Sequence, residues 1–263
     1  MKGEGAIHIS EIEPTLRRLE QDLGFDLCNN MLGSTGKRTI SGDIDVAVQL
    51  GKEQIPILLD RLNKCKIVDF AKKSVLVVIA RVEIQNYDST VETDQPRTGY
   101  VQVDFMTDPN IAWLKTFYHA PAEGVSKYKG AHRNITLGAL SQYVDRYETN
   151  DPIDMTPLTK RYMFSSNRGL VRITREPKPR KDGKGYTKQV INTVIDDPWY
   201  SPAIIVARLK LDSIQNLDSF ETVWASILKN QPSAVVSRIA RDLEADPNIQ
   251  KLGVPDEIKE YLK

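Results

Sequence analysis

The run from Val75 to Ile84 (VLVVIARVEI) constrains the fold more than any other stretch of the chain. It is apolar almost without interruption and rich in β-branched residues, which suits a strand in the middle of a sheet. Tyr100 to Met106 (YVQVDFM) alternates instead. Period-two geometry puts Val101, Val103 and Phe105 on one face of that strand and Gln102 and Asp104 on the other. Ile44 to Leu50 (IDVAVQL) reads as a third strand. Helical spacing appears between these runs. From Ser10 to Leu23, Ile12, Leu16, Leu19 and Leu23 recur on one face, with Ser10 as the expected N-cap. Gln54 to Leu62 carries Ile55, Leu58, Leu59 and Leu62 in the same way, and helices are also expected over Asn110–Tyr118 and Asn134–Tyr147. The first half therefore reads as an α/β unit.

The texture changes near Asn150. Tyr162–Phe164 and Leu170–Ile173 flank a polar turn and read as a hairpin. Arg175 to Lys188 (REPKPRKDGKGYTK) is rich in Pro, Gly and basic residues and is expected to be an exposed, mobile loop. Beyond Ser201 the pattern is helical. Leu217, Phe220, Val223, Trp224, Ile227 and Leu228 form one stripe, with Asp218 and Glu221 resembling a capping box. Val235, Val236, Ile239, Ala240 and Leu243 form another. The expected fold is α/β of the α+β kind: a small mixed-sheet core over 1–150, then a β-hairpin and helical region over 151–263.

A chain of 263 residues with 40% hydrophobic and 27% charged residues can bury a core without covalent staples. The net charge of +1 gives no whole-molecule signature of a nucleic-acid binder, so any such surface must come from local clusters. Cys28 and Cys65 make no CxxC pair, and three histidines offer no zinc framework; inert thiols in a reducing compartment are expected. The start MKGEGAIHISEIEP lacks the apolar stretch of a signal peptide, and no run approaches the roughly 20 apolar residues of a membrane span. A soluble, cytoplasmic protein with no membrane partner is expected.

Three acids stand where carboxylates are costly. Asp43 and Asp45 enter a strand with Ile44 between them, so both point to one face, and Asp104 sits within the alternating strand. Clustered carboxylates repel unless a cation neutralises them, and an all-oxygen set favours Mg²⁺ or Mn²⁺. Upstream, Gly33-Ser34 forms a turn whose backbone N–H groups and hydroxyl suit phosphate oxygens. GSTGKRT is not a Walker A loop, because Met31 stands where that motif needs Gly and Arg38 where it needs Ser or Thr. Lys37 and Ser41 remain candidate nucleotide contacts. So do Lys127, Lys129 and Arg133, which lead into a helix; His132 is a weaker candidate for a general base.

The ordered set Gly33, Ser34, Asp43, Asp45 and Asp104 resembles the signature of the DNA polymerase β-type nucleotidyltransferase superfamily. It covers Met31 to Met106. The resemblance implies a nucleotidyltransferase core holding two Mg²⁺ or Mn²⁺ ions. All three acids would hold the catalytic ion, and Asp43 and Asp45 the nucleotide ion as well. Gly33 and Ser34 would anchor the β- and γ-phosphates of an NTP, with ATP the expected donor. The implied reaction moves a nucleoside monophosphate to an acceptor hydroxyl and releases pyrophosphate. Arg175, Lys178, Arg180, Lys181, Lys184 and Lys188 tilt the acceptor toward an RNA 3′ end, with the second region binding it. A protein or small-molecule acceptor is the alternative, as is a catalytically silent nucleic-acid-binding module on the same fold.

Overall fold

The computed structural model describes residues 5–74, 77–122, 124–144, 147–150, 157–165, 169–183, 186–195 and 198–263. The chain divides into two compact units, Met1–Val125 and Ser126–Lys263. The expected boundary near 150 thus moves upstream, because the helix after Lys129 packs with the elements that follow it.

The first unit runs β1 (Ile7–His8), α1 (Ile9–Leu23), β2 (Ile40–Ser41), β3 (Asp43–Val48), α2 (Ile55–Lys64), β4 (Val68–Ser74), β5 (Val77–Glu83), β6 (Tyr100–Thr107) and α3 (Ile111–Phe117). Its main sheet has the order β3-β6-β5-β4, with β3 parallel to β6 and the other pairs antiparallel. The apolar run is an inner strand, as its composition requires; residues 75 and 76 lie outside the described residues. One face of the sheet is the core. Ile44, Val46 and Val48 of β3, Val101, Val103 and Phe105 of β6, and Val78, Ala80 and Val82 of β5 pack with Ile12, Leu16, Leu19 and Leu23 of α1 and Ile55, Leu58 and Leu62 of α2. The other face carries the intervening residues, among them Asp43, Asp45, Gln102 and Asp104. Farther along that face Ala47 and Met106 pack with Leu114 and Ile111 of α3 and with Leu32.

Two local details differ from expectation. Helix α1 begins at Ile9, with His8 rather than Ser10 as its cap: the His8 ring accepts from Ser10 N, and Glu11 Oε2 accepts from His8 N at 2.9 Å. Glu11 completes the capping box at the third helical position, and its carboxylate also holds Arg97 and the Asp88 amide. Strand β4 carries no readable strand pattern. Its Lys72, Lys73 and Ser74 are exposed on a sheet edge, where lysines discourage further pairing and blur alternation.

The second unit runs α4 (Gly130–Ser141), β7 (Tyr147–Asn150), β8 (Pro157–Ser165), β9 (Gly169–Pro179), β10 (Tyr186–Ile195), α5 (Pro202–Leu209), α6 (Phe220–Asn230), α7 (Ser233–Ala245), α8 (Pro247–Leu252) and α9 (Asp256–Tyr261). The antiparallel sheet has the order β10-β9-β8-β7. The β8–β9 hairpin matches the expected one; residues 166–168 of its turn lie outside the described residues. The expected mobile loop over Arg175–Lys188 is largely strand: β9 continues to Pro179, and Tyr186 of β10 pairs with Pro179. Register shifts beside Val190, which pairs with Pro177, fall where a proline has no N–H to donate. Lys178, Arg180 and Lys181 are exposed; residues 184 and 185 lie outside the described residues.

Helix α4 starts at Gly130, not Asn134, and packs against α6, α7 and β8. The capping box of α6 is Ser219 with Thr222 instead of Asp218 with Glu221. The Glu221 carboxylate is occupied by Ser126 Oγ at 2.8 Å and Lys127 N at 3.2 Å. Leu228 lies off the buried stripe at 46% exposure, whereas Trp224 is core, stacked on Phe220 with Tyr261 at its edge. No helix among the described residues is long and apolar enough to cross a membrane.

Candidate functional site

Parallel pairing of β3 with β6 sets Asp45 beside Asp104, and Asp43 lies two residues earlier on the same face. One carboxylate oxygen from each of the three lies within 4.8 Å of the others. Ile44 and Val46 anchor β3 from beneath, fully buried, so the acids are held by the core and not by one another. Asp43 is exposed; Asp45 and Asp104 are half-buried. Burial first, then the neighbouring Asp43 and Asp104 charges, push the Asp45 carboxyl up to about 7.

The Gly33-Ser34 turn is clamped to this cluster. Leu32 N donates to Asp45 O at 2.8 Å, and Asp45 N donates to the buried Thr35 hydroxyl at 2.9 Å. Gly33 has φ +59°, a left-handed conformation that favours glycine, and a Cβ there would sit 3.1 Å from Asp45 Oδ2. The glycine therefore allows the turn to lie against a carboxylate. Its own N–H is occupied by Tyr118 O at 2.9 Å, so it does not offer the phosphate contact expected of it. Among the described residues the Ser34 amide and hydroxyl meet no protein partner, so the donors left open in this turn belong to Ser34.

The remaining sequence candidates divide by unit. In the first, Lys37 is exposed beside the turn and donates through Nζ to Ala120 O at 2.5 Å. Ser41 is buried in β2, its hydroxyl enclosed without a hydrogen-bond partner among the described residues. Lys127, Lys129 and Arg133 belong to the second unit. Lys127 pairs with Glu257 at 3.3 Å and Asp256 at 3.6 Å. Lys129 is the exposed N-cap residue of α4. Arg133 is fully buried, donating to Leu217 O at 3.0 Å and to Asn134 Oδ1 at 2.8 Å; burial pulls its guanidinium down to about 10. His132 is buried against Gly253 O at 2.9 Å. The charges of Lys127 and Arg133 are thus balanced or enclosed by protein groups of their own unit.

Sequence reasoning missed two features of the site. The Tyr118–Ala120 segment lines the turn through a parallel bridge between Gly33 and His119, a long-range contact with no local signature. Gln102 donates from Nε2 to Asp104 Oδ1 at 2.8 Å. Its place on the same face as Asp104 is legible from the alternation; the hydrogen bond is not.

The donor set tests whether a cation fits. It is oxygen only, converging from two adjacent strands, with one member pushed toward neutrality by burial and by the others, and the glycine leaves room beside it. Those features fit a small, hard divalent ion such as Mg²⁺ or Mn²⁺. Together they define a mixed α/β protein with a carboxylate triad beside a glycine-serine turn. Comparison with protein-family models and with curated proteins finds no match for the chain.

Proposed function

We propose that this chain is a metal-dependent nucleotidyltransferase of the DNA polymerase β type. The observation that carries the reading is the triad of Asp43, Asp45 and Asp104 on one sheet face, with the Gly33-Ser34 turn fastened to Asp45 on both sides of its peptide. Asp43, Asp45 and Asp104 would hold two divalent cations, which when bound supply charge stabilisation for the triphosphate and a lower pKa for the attacking hydroxyl. The Ser34 amide and hydroxyl would donate to β- and γ-phosphate oxygens, and Gly33 would let the backbone come close enough for that contact. Lys37 adds positive charge beside the turn. An acceptor oxygen forms a bond to the α-phosphorus as the bond to the bridging oxygen breaks, and pyrophosphate leaves. The acceptor proton passes to a carboxylate base, for which Asp104 is the candidate, and from there to water.

For the acceptor we propose an RNA 3′ end, supported by the exposed Lys178, Arg180 and Lys181 at the end of the β9–β10 hairpin. ATP is the first donor to test. Both cysteines are free, and burial pushes the Cys28 thiol up to about 11 and raises that of Cys65, so neither is an activated thiolate. The deciding experiment incubates the protein with each α-labelled NTP, Mg²⁺ or Mn²⁺, and RNA, DNA, protein or small hydroxyl compounds. Label in RNA supports the whole reading. Label in another acceptor keeps the reaction and replaces the substrate. Absence of product with every combination favours a catalytically silent module.

A further inference from the structure

Gln102 lies two residues before Asp104 on β6, on the same face of the sheet. Its cross-strand neighbours are Asp43 on β3 and Arg81 on β5. Arg81 is engaged with Asp69 Oδ2 at 2.6 Å and lies over the Tyr100 ring at 4.0 Å. Into the acidic side of this face Gln102 sends a neutral amide, which donates to Asp104 Oδ1 at 2.8 Å.

We infer that Gln102 is a positioning residue for Asp104: its amide holds one carboxylate oxygen by a hydrogen bond and so fixes the orientation in which the carboxylate meets a cation. The inference rests on the metal-dependent transfer proposed above. Three chemical properties single out an amide for this task. It is a donor, so its Nε2–H matches a carboxylate oxygen, as the 2.8 Å contact to Asp104 Oδ1 shows. It is uncharged, so it does not stand in for the cation as a lysine or arginine would. It adds no further carboxylate to a cluster that already repels itself. The β-strand makes the arrangement rigid, since residues at i and i+2 project from one backbone. Partners behind a metal ligand orient it in this way, and losing one commonly weakens metal binding tenfold to a hundredfold.

The test compares the full-length protein with Gln102→Leu and Gln102→Met; the methionine keeps the length of the stem while removing the donor. Mn²⁺ binding is measured by calorimetry without nucleotide, alongside the melting temperature without metal. Transfer kinetics follow. The dissociation constant for Mn²⁺ should rise at least tenfold in both variants. The kcat should fall while KM for the NTP stays within about twofold, because the turn and the Asp43–Asp45 pair still hold the triphosphate. A folded variant with wild-type Mn²⁺ affinity and wild-type kcat overturns the role of Gln102 alone. Wild-type protein that binds no Mn²⁺ removes the metal-dependent reading and this inference with it.

Discussion

Asp45 is the residue at which fold and chemistry compete. Its carboxyl rises from an ordinary 3.8 to about 7, chiefly through burial, so the folded, metal-free protein holds a proton that the unfolded chain has released. Below about pH 4 both states are protonated, and the group costs nothing. As the pH climbs toward about 7 the unfolded chain alone releases its proton, and stability falls until the folded state ionises too. Asp45→Asn should therefore gain about 1–3 kcal/mol over wild type at pH 8 in chelator and almost nothing at pH 4, since a tenfold change in proton affinity is worth about 1.4 kcal/mol before solvent screening. Urea unfolding at both pH values checks this, and the same variant should lose nucleotide transfer. Gly33→Ala should do the reverse, losing about 1–2 kcal/mol to the left-handed backbone alone. It would also crowd Asp45 Oδ2 and cut transfer by at least about tenfold, for which activity with urea unfolding is the readout.

At the level of elements, the sheet is secured by ties from distant parts of the first unit. Phe105 projects from β6 into the face covered by α1 and α2 and is fully buried. Phe105→Ala should cost about 3–5 kcal/mol by urea denaturation, because the surrounding side chains cannot close the space. A second tie is ionic. Arg97 Nη2 contacts both Glu11 oxygens, at 2.6 and 2.7 Å, binding the connection between β5 and β6 to the first turn of α1. Arg97→Met would leave a buried carboxylate without its cation, and about 3–5 kcal/mol of stability should disappear in the same assay. The helices and inner strands around these ties are legible in the sequence, because Ile12, Leu16, Leu19 and Leu23 keep one period and Val101, Val103 and Phe105 keep another. The Glu11–Arg97 pair is not: the partners stand 86 positions apart, and neither carries a local mark. The β9–β10 hairpin reads as loop for a related reason. Pro177 and Pro179 argue locally against a strand, yet pairing with β8 and β10 holds β9 in one.

Across the whole molecule the functional reading predicts coupling between ligands. ATP and Mg²⁺ together should raise the melting temperature more than the sum of either alone, since cation and phosphates share the same carboxylate face. Saturation near a hundredfold over Kd corresponds to about 2.7 kcal/mol in a thermal-shift matrix. Replacing Lys178, Arg180 and Lys181 together by Ala should leave the NTP shift intact. It should flatten the salt dependence of RNA binding by about two units of slope, measured by titration at several salt concentrations. An unaltered slope would assign the hairpin tip to ordinary solvated surface.

What the sequence alone determined was periodic and local. Side chains two apart on a strand share a face, so alternation by itself puts Gln102 with Asp104 and Asp43 with Asp45. Glycine and serine in succession mark the turn. Tertiary structure decided everything that depends on which segments meet. The parallel register of β3 and β6 sets Asp45 level with Asp104, and the Tyr118 carbonyl takes the Gly33 amide. Packing of α4 encloses Arg133 in its own unit while leaving Lys129 exposed. Such pairings are long-range, chosen by the burial of an entire core face against the entropy of closing long loops, and no window of sequence contains both partners.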